Sequence, residues 1–328
     1  MINTEITFND IGRKGNGPGE YASVGLVSVD PENKWIFLSP NKNIQVYGTN
    51  GRYIKSFSIP DVADYDATAI FGNVYCSIIN IRTGKEKVRL YYFDDRGILI
   101  DSTSNRISYI KREHFYSGAE RGKLVPAKSH FLFKDGVNDT IYLIDSTLNS
   151  IPYFRIDLGD YKMPYKTFDN TLQEYSKASL KYITLFDVME SDSFLFLNFN
   201  FNNHYPFNYG KESLVKVFGK IMILHDQNVA ALYNKQKCTL TLLNGENGFG
   251  FINDIDGGMP FWPSYIELIS GEMYSWVNAF DFYDYMKSLE TAKDTIRDKE
   301  AHARLNTLME NFDAAGNPII IKISAIRY

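Results

Sequence analysis

Three times between residues 43 and 159 the chain repeats one design: a short apolar run, a tight polar turn, and a second short run. In "NIQVYGTNGRYIKSFSIP" the runs meet across Thr49-Asn50-Gly51, and Asn-Gly is a strong hairpin signal because both residues tolerate positive φ. "RLYYFDDRGILIDSTS" repeats the pattern across Asp94-Asp95-Arg96-Gly97, and "TIYLIDSTLNSIPYFRIDLG" repeats it from Asp145. The turn starts Gly48, Asp94 and Asp145 lie 46 and 51 residues apart. "IMILHDQNVAALYN" reads as a fourth copy with its turn at Asp226, 81 residues further on, behind a long insertion.

Upstream of the hairpins stand further apolar strands, such as Lys34 to Ser39 and Asn73 to Asn80, so each unit holds about four short strands. Four-stranded units recurring every 40 to 50 residues or so are the blades of a β-propeller, in which each sheet buries its faces against its neighbours. Aromatic residues make up 15% of the 328 residues, with 23 Tyr and 23 Phe, and such rings favour strands. The expected class is therefore all-β, with residues 1–328 forming a single propeller domain.

Residues 281–312 break the β pattern. Phe282, Tyr285, Met286 and Leu289 follow an i, i+3, i+4, i+7 stripe, which Leu305, Leu308, Met309 and Phe312 resume after a charged middle. One long helix or two joined helices fit, stopped by Gly316 and Pro318 before "PIIIKIS" returns to strand. Setting these 32 residues aside leaves 296, about 49 per blade for six blades or 42 for seven.

The formal charge is −4 with no run of Lys or Arg, which sets nucleic acid and anionic membrane aside as partners. No apolar stretch approaches the roughly 20 residues needed to span a bilayer, and "MINTEITFND" lacks the basic start and apolar run of a signal peptide. The chain reads as soluble, with any export signal lying outside it. Cys76 and Cys238 make no disulfide framework, and Cys76 sits in an apolar strand pattern where burial is expected.

"GRKGNGPGEY", residues 12–21, imitates a phosphate loop without its working parts. It has no Gly-Lys-Ser/Thr closure, and strand-like Val24 to Val29 follows where a nucleotide site needs a helix N-terminus. It reads instead as a turn, with Pro18 presetting φ, Gly19 at positive φ and Glu20 accepting backbone N–H groups. Ligand contact by Arg13 or Glu20 is the alternative.

The segments "GNGPGEY", "NKNIQVYGTNGRYIKSF", "NDTIYLID" with "IPYFRIDLGDYKMP", "DIDGGMPFWP" and "NPIIIKI" resemble, in order and spacing, a six-bladed β-propeller family related to NHL repeats and abundant in Bacteroides and its relatives. The resemblance implies six blades and a ring closed by a strand near Ile6 to Ile11 pairing with the last blade. It also implies export, commonly as a lipoprotein, to the periplasm or cell surface. Ser39-Pro40 departs from the Asp usual in an NHL-like blade, and the fourth blade is irregular.

Candidate chemistry is sparse. No histidine pair has the i, i+4 spacing of a zinc helix. No cofactor is expected; because NHL-like lyases and lactonases gather a metal in the axial channel from separate loops, the alternative that the resemblance leaves open is Ca or Zn held by His114, His130, His204 and His225. "NDIDGG", Asn253 to Gly258, lacks the third acid and distal Glu of a calcium loop, yet groups Asp254 and Asp256 with Trp262. Acids beside an indole suit sugar hydroxyls and ring stacking. In "LNFNFNNHYPFNY", Phe199 and Phe201 are expected to be buried, while Asn203, His204, Tyr205 and Tyr209 form a polar aromatic loop suited to carbohydrate or peptide. No serine or cysteine nucleophile arrangement can be placed from spacing.

The favoured expectation is a non-catalytic, extracytoplasmic binding propeller taking a glycan or peptide at its central mouth. A metal-dependent lyase or hydrolase working in the channel is the first alternative. A scaffold that holds an envelope protein through the 281–312 helices is the second.

Overall fold

The computed structural model describes residues 10–324 except 18, 31, 40–41, 61–64, 114–119, 128–129, 137, 205–211, 218–219, 226–227, 246–247, 268–269, 289–295 and 311. Two compact units make up the chain: Met1–Asp160 with Pro164–Ala178, and Tyr161–Met163 with Ser179–Tyr328.

Unit 1 begins with a short parallel pair, β1 (Arg13–Lys14) and β2 (Glu20–Tyr21), followed by three antiparallel four-stranded sheets. The first holds β3 (Leu26–Asp30), β4 (Trp35–Ser39), β5 (Asn43–Gly48) and β6 (Tyr53–Ser58) in that order. The second holds β7 (Tyr65–Phe71), β8 (Val74–Ile79), β9 (Val88–Phe93) and β10 (Leu99–Ser104). The third holds β11 (Lys123–Pro126), β12 (Phe131–Lys134), β13 (Thr140–Ile144) and β14 (Ser150–Arg155).

Strand alternation explains how these sheets stack. Tyr75 of β8 and Phe93 of β9 join Phe37, Ile44, Val46 and Phe57 of the first sheet in one buried cluster. Their sequence neighbours Cys76 and Tyr92, with Ile78 and Leu90, join Leu124, Phe131, Phe133 and Ile144 of the third in another. Period-2 side-chain direction thus gives the middle sheet two apolar faces, and burying each such side chain contributes roughly 1.5–3 kcal/mol. Cys76 is fully buried, as its strand pattern requires.

After α1 (Leu172–Ser179), unit 2 builds a fourth four-stranded sheet from β15 (Thr184–Glu190), β16 (Phe194–Asn200), β19 (Asn228–Asn234) and β20 (Thr239–Leu242). Between its second and third strands a hairpin intervenes, β17 (Glu212–Val217) paired with β18 (Lys220–His225). A two-residue pair, β21 (Asn244–Gly245) with β22 (Gly248–Phe249), leads to the fifth sheet. That sheet has three strands, β23 (Tyr265–Ile266), β24 (Met273–Val277) and β25 (Ile319–Ile323), with α2 (Ala279–Ser288) and α3 (Lys299–Glu310) between the last two.

Successive antiparallel sheets of this kind are the blades of an all-β propeller fold, and among the described residues there are five, not the six expected. A uniform period fails for a physical reason. The first three sheets span 33, 40 and 33 residues, whereas the fourth and fifth span 59 each because one carries a hairpin and the other two helices. Dividing the length by an average period therefore counts one blade too many. The expected closing strand, Ile6 to Ile11, lies outside the described residues up to position 9, and Asp10 and Ile11 are in no strand.

The turns also correct the repeat. At Asp94 the carboxylate accepts the Arg96 and Ile98 N–H groups at 2.9 Å each, and at Asp145 it accepts those of Thr147 and Asn149 at 2.9 and 3.0 Å. Asp226 lies outside the described residues, and the strands on either side of it form no hairpin, because both edges of β19 are taken, one by β16 and the other by β20. The counterpart of the expected fourth copy is the turn after β19, where Asn234 Oδ1 accepts the Gln236 and Lys237 N–H groups at 3.0 and 2.9 Å.

These turns need one left-handed residue, filled by Gly97 (φ 82°) in the second sheet and by exposed Cys238 (φ 53°) in the fourth. A side chain in that region costs about 1–2 kcal/mol. Cys238→Gly should therefore raise the unfolding temperature, a gain of roughly 0.5–1 kcal/mol after the entropy that glycine forfeits. Gly97→Ala should lower it, because the added Cβ would run into the Ser58 carbonyl. Scanning calorimetry of both variants reads the two opposite shifts.

The helical stretch is two helices rather than one. Phe282 of α2 and Leu305 of α3 are buried, and Phe312 lies 5.5 Å from Phe282 and stacks on Tyr283 at 6.2 Å. Leu289 is outside the described residues. No helix among the described residues is long and apolar enough to cross a membrane.

Candidate functional site

The N-terminal glycine stretch is occupied by its own turn. Glu20 Oε2 accepts the Gly17 N–H at 2.8 Å, and Gly19 takes φ 74°. The Glu20 carbonyl accepts Gln45 Nε2 at 2.5 Å, and the Gly19 carbonyl accepts the Tyr47 hydroxyl at 3.2 Å. At Gly12 an added Cβ would stand 2.7 Å from the Tyr47 ring, so the glycine is what lets this segment lie on β5. Arg13 is exposed on β1.

The acids of "NDIDGG" face the helical insertion. Asp254 pairs with Arg297 at 2.6 Å, and the Asp254 and Ile255 carbonyls accept the Arg297 and Asp298 N–H groups at 2.8 and 2.9 Å. Asp256 Oδ1 accepts Asn253 Nδ2 at 2.7 Å and the Gly258 N–H at 2.9 Å, while its carbonyl accepts His302 Nδ1 at 2.7 Å. Trp262 lies among rings, 5.6 Å from Phe196, 5.4 Å from Phe249 and 5.8 Å from Phe251. It packs against the buried cluster of Met189, Phe196 and Ile266.

The polar aromatic loop is different, because its described part stays exposed while its backbone is fixed. The chain leaves β16 into a single turn, Asn202–His204, with Asn202 at φ 48°. Asn202 Nδ2 donates to the Tyr182 carbonyl at 2.7 Å, and the Asn203 and His204 N–H groups donate to Leu180 and Phe201 carbonyls at 3.1 and 2.9 Å. His204 Nε2 meets the Lys181 carbonyl at 2.9 Å, and the imidazole stands 4.7 Å from the Tyr161 ring at 69°. Tyr161 is 49% exposed, and its carbonyl accepts the Ile183 N–H at 3.0 Å. Tyr205 and Tyr209 lie outside the described residues. Phe199 is buried as expected, and Phe201 is half-buried against it at 6.2 Å.

Sequence reasoning did not reach Tyr161. Its neighbours "GDYKMP" hold a turn signal, but nothing in the sequence shows that this ring meets a histidine 43 positions later. Of the metal candidates, His114 lies outside the described residues, as does the side chain of His225 on β18. His130, in unit 1, sets its ring 6.1 Å from Tyr153. Among the described residues, no three His, Cys, Asp or Glu side chains are gathered to hold a metal ion.

A buried charge network in unit 1 also escaped the sequence reading. Lys111 and Glu120 pair at 2.7 Å with neither side chain exposed, and Arg89 pairs with Asp135 at 3.1 Å. Arg89 also reaches the Glu120 carbonyl at 3.0 Å, and the Tyr109 hydroxyl donates to Glu120 Oε1. Burial first, then the Glu120 charge, push the Tyr109 phenol far above its usual range. All four charged side chains of the network are buried.

The family described as a domain of unknown function (DUF4934) matches residues 8–324. The chain belongs to that family. Two solved structures are similar to this DUF4934 member. A protein of unknown function from Bacteroides caccae is 12% identical over 76% of this chain and 68% of its own, with a TM-score of 0.35. A DUF4221-family protein from Bacteroides vulgatus is 12% identical over 72% and 71%, with a TM-score of 0.45. Among curated proteins none matches. For this DUF4934 chain the propeller assignment rests on the five sheets themselves.

Proposed function

We propose that the chain is a non-catalytic binding propeller of the cell envelope that retains a glycan or peptide ligand on the surface formed by Tyr161, Asn203 and His204. One observation carries this reading: a half-exposed tyrosine ring is held against an exposed histidine that is itself fixed by a backbone carbonyl. Exposed aromatics carry information when they are clustered and held, since a pre-ordered ring binds without first losing its freedom. The extracytoplasmic placement is supported by the resemblance of the quoted segments to exported propellers. The purified chain, screened on parallel glycan and peptide arrays, is expected to retain members of one class, and a blank on both arrays would defeat the reading.

A further inference from the structure

The hydrogen-bond inventory of this surface separates the two ligand classes. A peptide that binds by adding a strand is recognised through unpaired backbone groups of a sheet edge. Here the Asn203, His204 and Ile183 N–H groups and the Tyr161, Leu180, Lys181 and Tyr182 carbonyls are already spent on one another or on neighbouring side chains. What remains is side-chain chemistry. A carbonyl can only accept, so His204 Nε2 carries the hydrogen it gives to Lys181, and Nδ1 is the ring nitrogen left to hydrogen-bond a ligand. Among the described residues the exposed Asn203 carboxamide has no partner, and it offers both donors and an acceptor. Tyr161 supplies a half-exposed apolar ring. A ring nitrogen, a donor-acceptor amide and an aromatic platform match a sugar, whose hydroxyls both give and take hydrogen bonds and whose C–H face packs on a ring.

From this we infer that the site takes a pyranose ring of a glycan, with Tyr161 as its platform and His204 Nδ1 and Asn203 as its hydroxyl partners. The inference rests on the binding reading above and narrows it to one ligand class. The full chain, Tyr161→Ala and Tyr161→Phe are compared on an array of hexopyranose oligosaccharides beside an array of peptides, with the thermal midpoint of each protein measured. The expected result is glycan retention that falls about tenfold in Tyr161→Ala, the effect of losing about 1.4 kcal/mol. It should stay within about twofold in Tyr161→Phe, which keeps the platform, and all three midpoints should agree. Glycan binding indifferent to Tyr161→Ala overturns the inference. Retention of peptides instead overturns it too, but leaves the binding reading standing; retention of nothing defeats both.

Discussion

Lys111→Met should cost unit 1 about 3–5 kcal/mol, a large part of the 5–15 kcal/mol or so that holds a typical domain together. The lysine ammonium lies 2.7 and 2.9 Å from the two Glu120 oxygens, and it also donates to the Ile81 carbonyl at 3.1 Å. Neither side chain of the pair is exposed. Removing the cation therefore leaves a carboxylate in a dry interior, where an uncompensated charge is far costlier than the pair was worth. Lys111→Met/Glu120→Leu removes the orphan charge, but it leaves the Tyr109 hydroxyl without the acceptor it now uses, a residual cost of about 1–3 kcal/mol. Adding Tyr109→Phe removes that donor as well, so the triple variant should recover most of the loss. Urea denaturation read by hydrogen exchange at β8 and β9 amides orders the three variants. If the triple variant is as unstable as Lys111→Met alone, orphaned charge is not what destabilises the single variant.

How far such features can be read from sequence depends on the range of the signal. The hairpins at Thr49-Asn50-Gly51 and Asp94 to Gly97 are local: one acid or glycine and its next four residues decide the turn, and they form where expected. The stripe through Phe282 and Leu305 is likewise local and yields helices. Asp226 misled because an acid between two apolar runs defines a turn but not its partner strand, and β19 pairs with β16 across the inserted hairpin. The helix α1 was legible in principle. Thr171 and Glu174 form a reciprocal cap, with Glu174 Oε2 accepting the Thr171 N–H at 3.0 Å and Thr171 Oγ1 accepting the Glu174 N–H at 3.3 Å, and that spacing stands in "TLQE". Arg89 inside "VRLYYF" and Asp135 after "FLFK" escaped because each stands beside an apolar run of its own, and no local signal links two residues 46 positions apart that pair between different sheets. The site shows the same limit, since His204 could be named from its loop and Tyr161 could not.

Trp262→Ala is the second large effect, and it separates a folding residue from a binding one. In sequence, Trp262 stands six residues after Asp256 and looks like the aromatic wall of a ligand loop. In unit 2 its indole is surrounded by Phe196, Phe249 and Phe251, and the paired Phe251 and Phe261 backbones, joined by two hydrogen bonds of 2.8 Å, hold the segment that carries it. Truncating a large aromatic in a core costs about 3–5 kcal/mol, and a half-buried indole belongs at the low end, near 3 kcal/mol. The variant should therefore unfold at markedly lower temperature or urea concentration, while its folded fraction retains glycan as the parent does. Tyr161→Ala should do the reverse, keeping its stability and losing retention. The two variants measured side by side form a crossed pair: if Trp262→Ala loses retention with its stability intact, the ligand surface lies at the Asn253 to Gly258 loop and not at Tyr161.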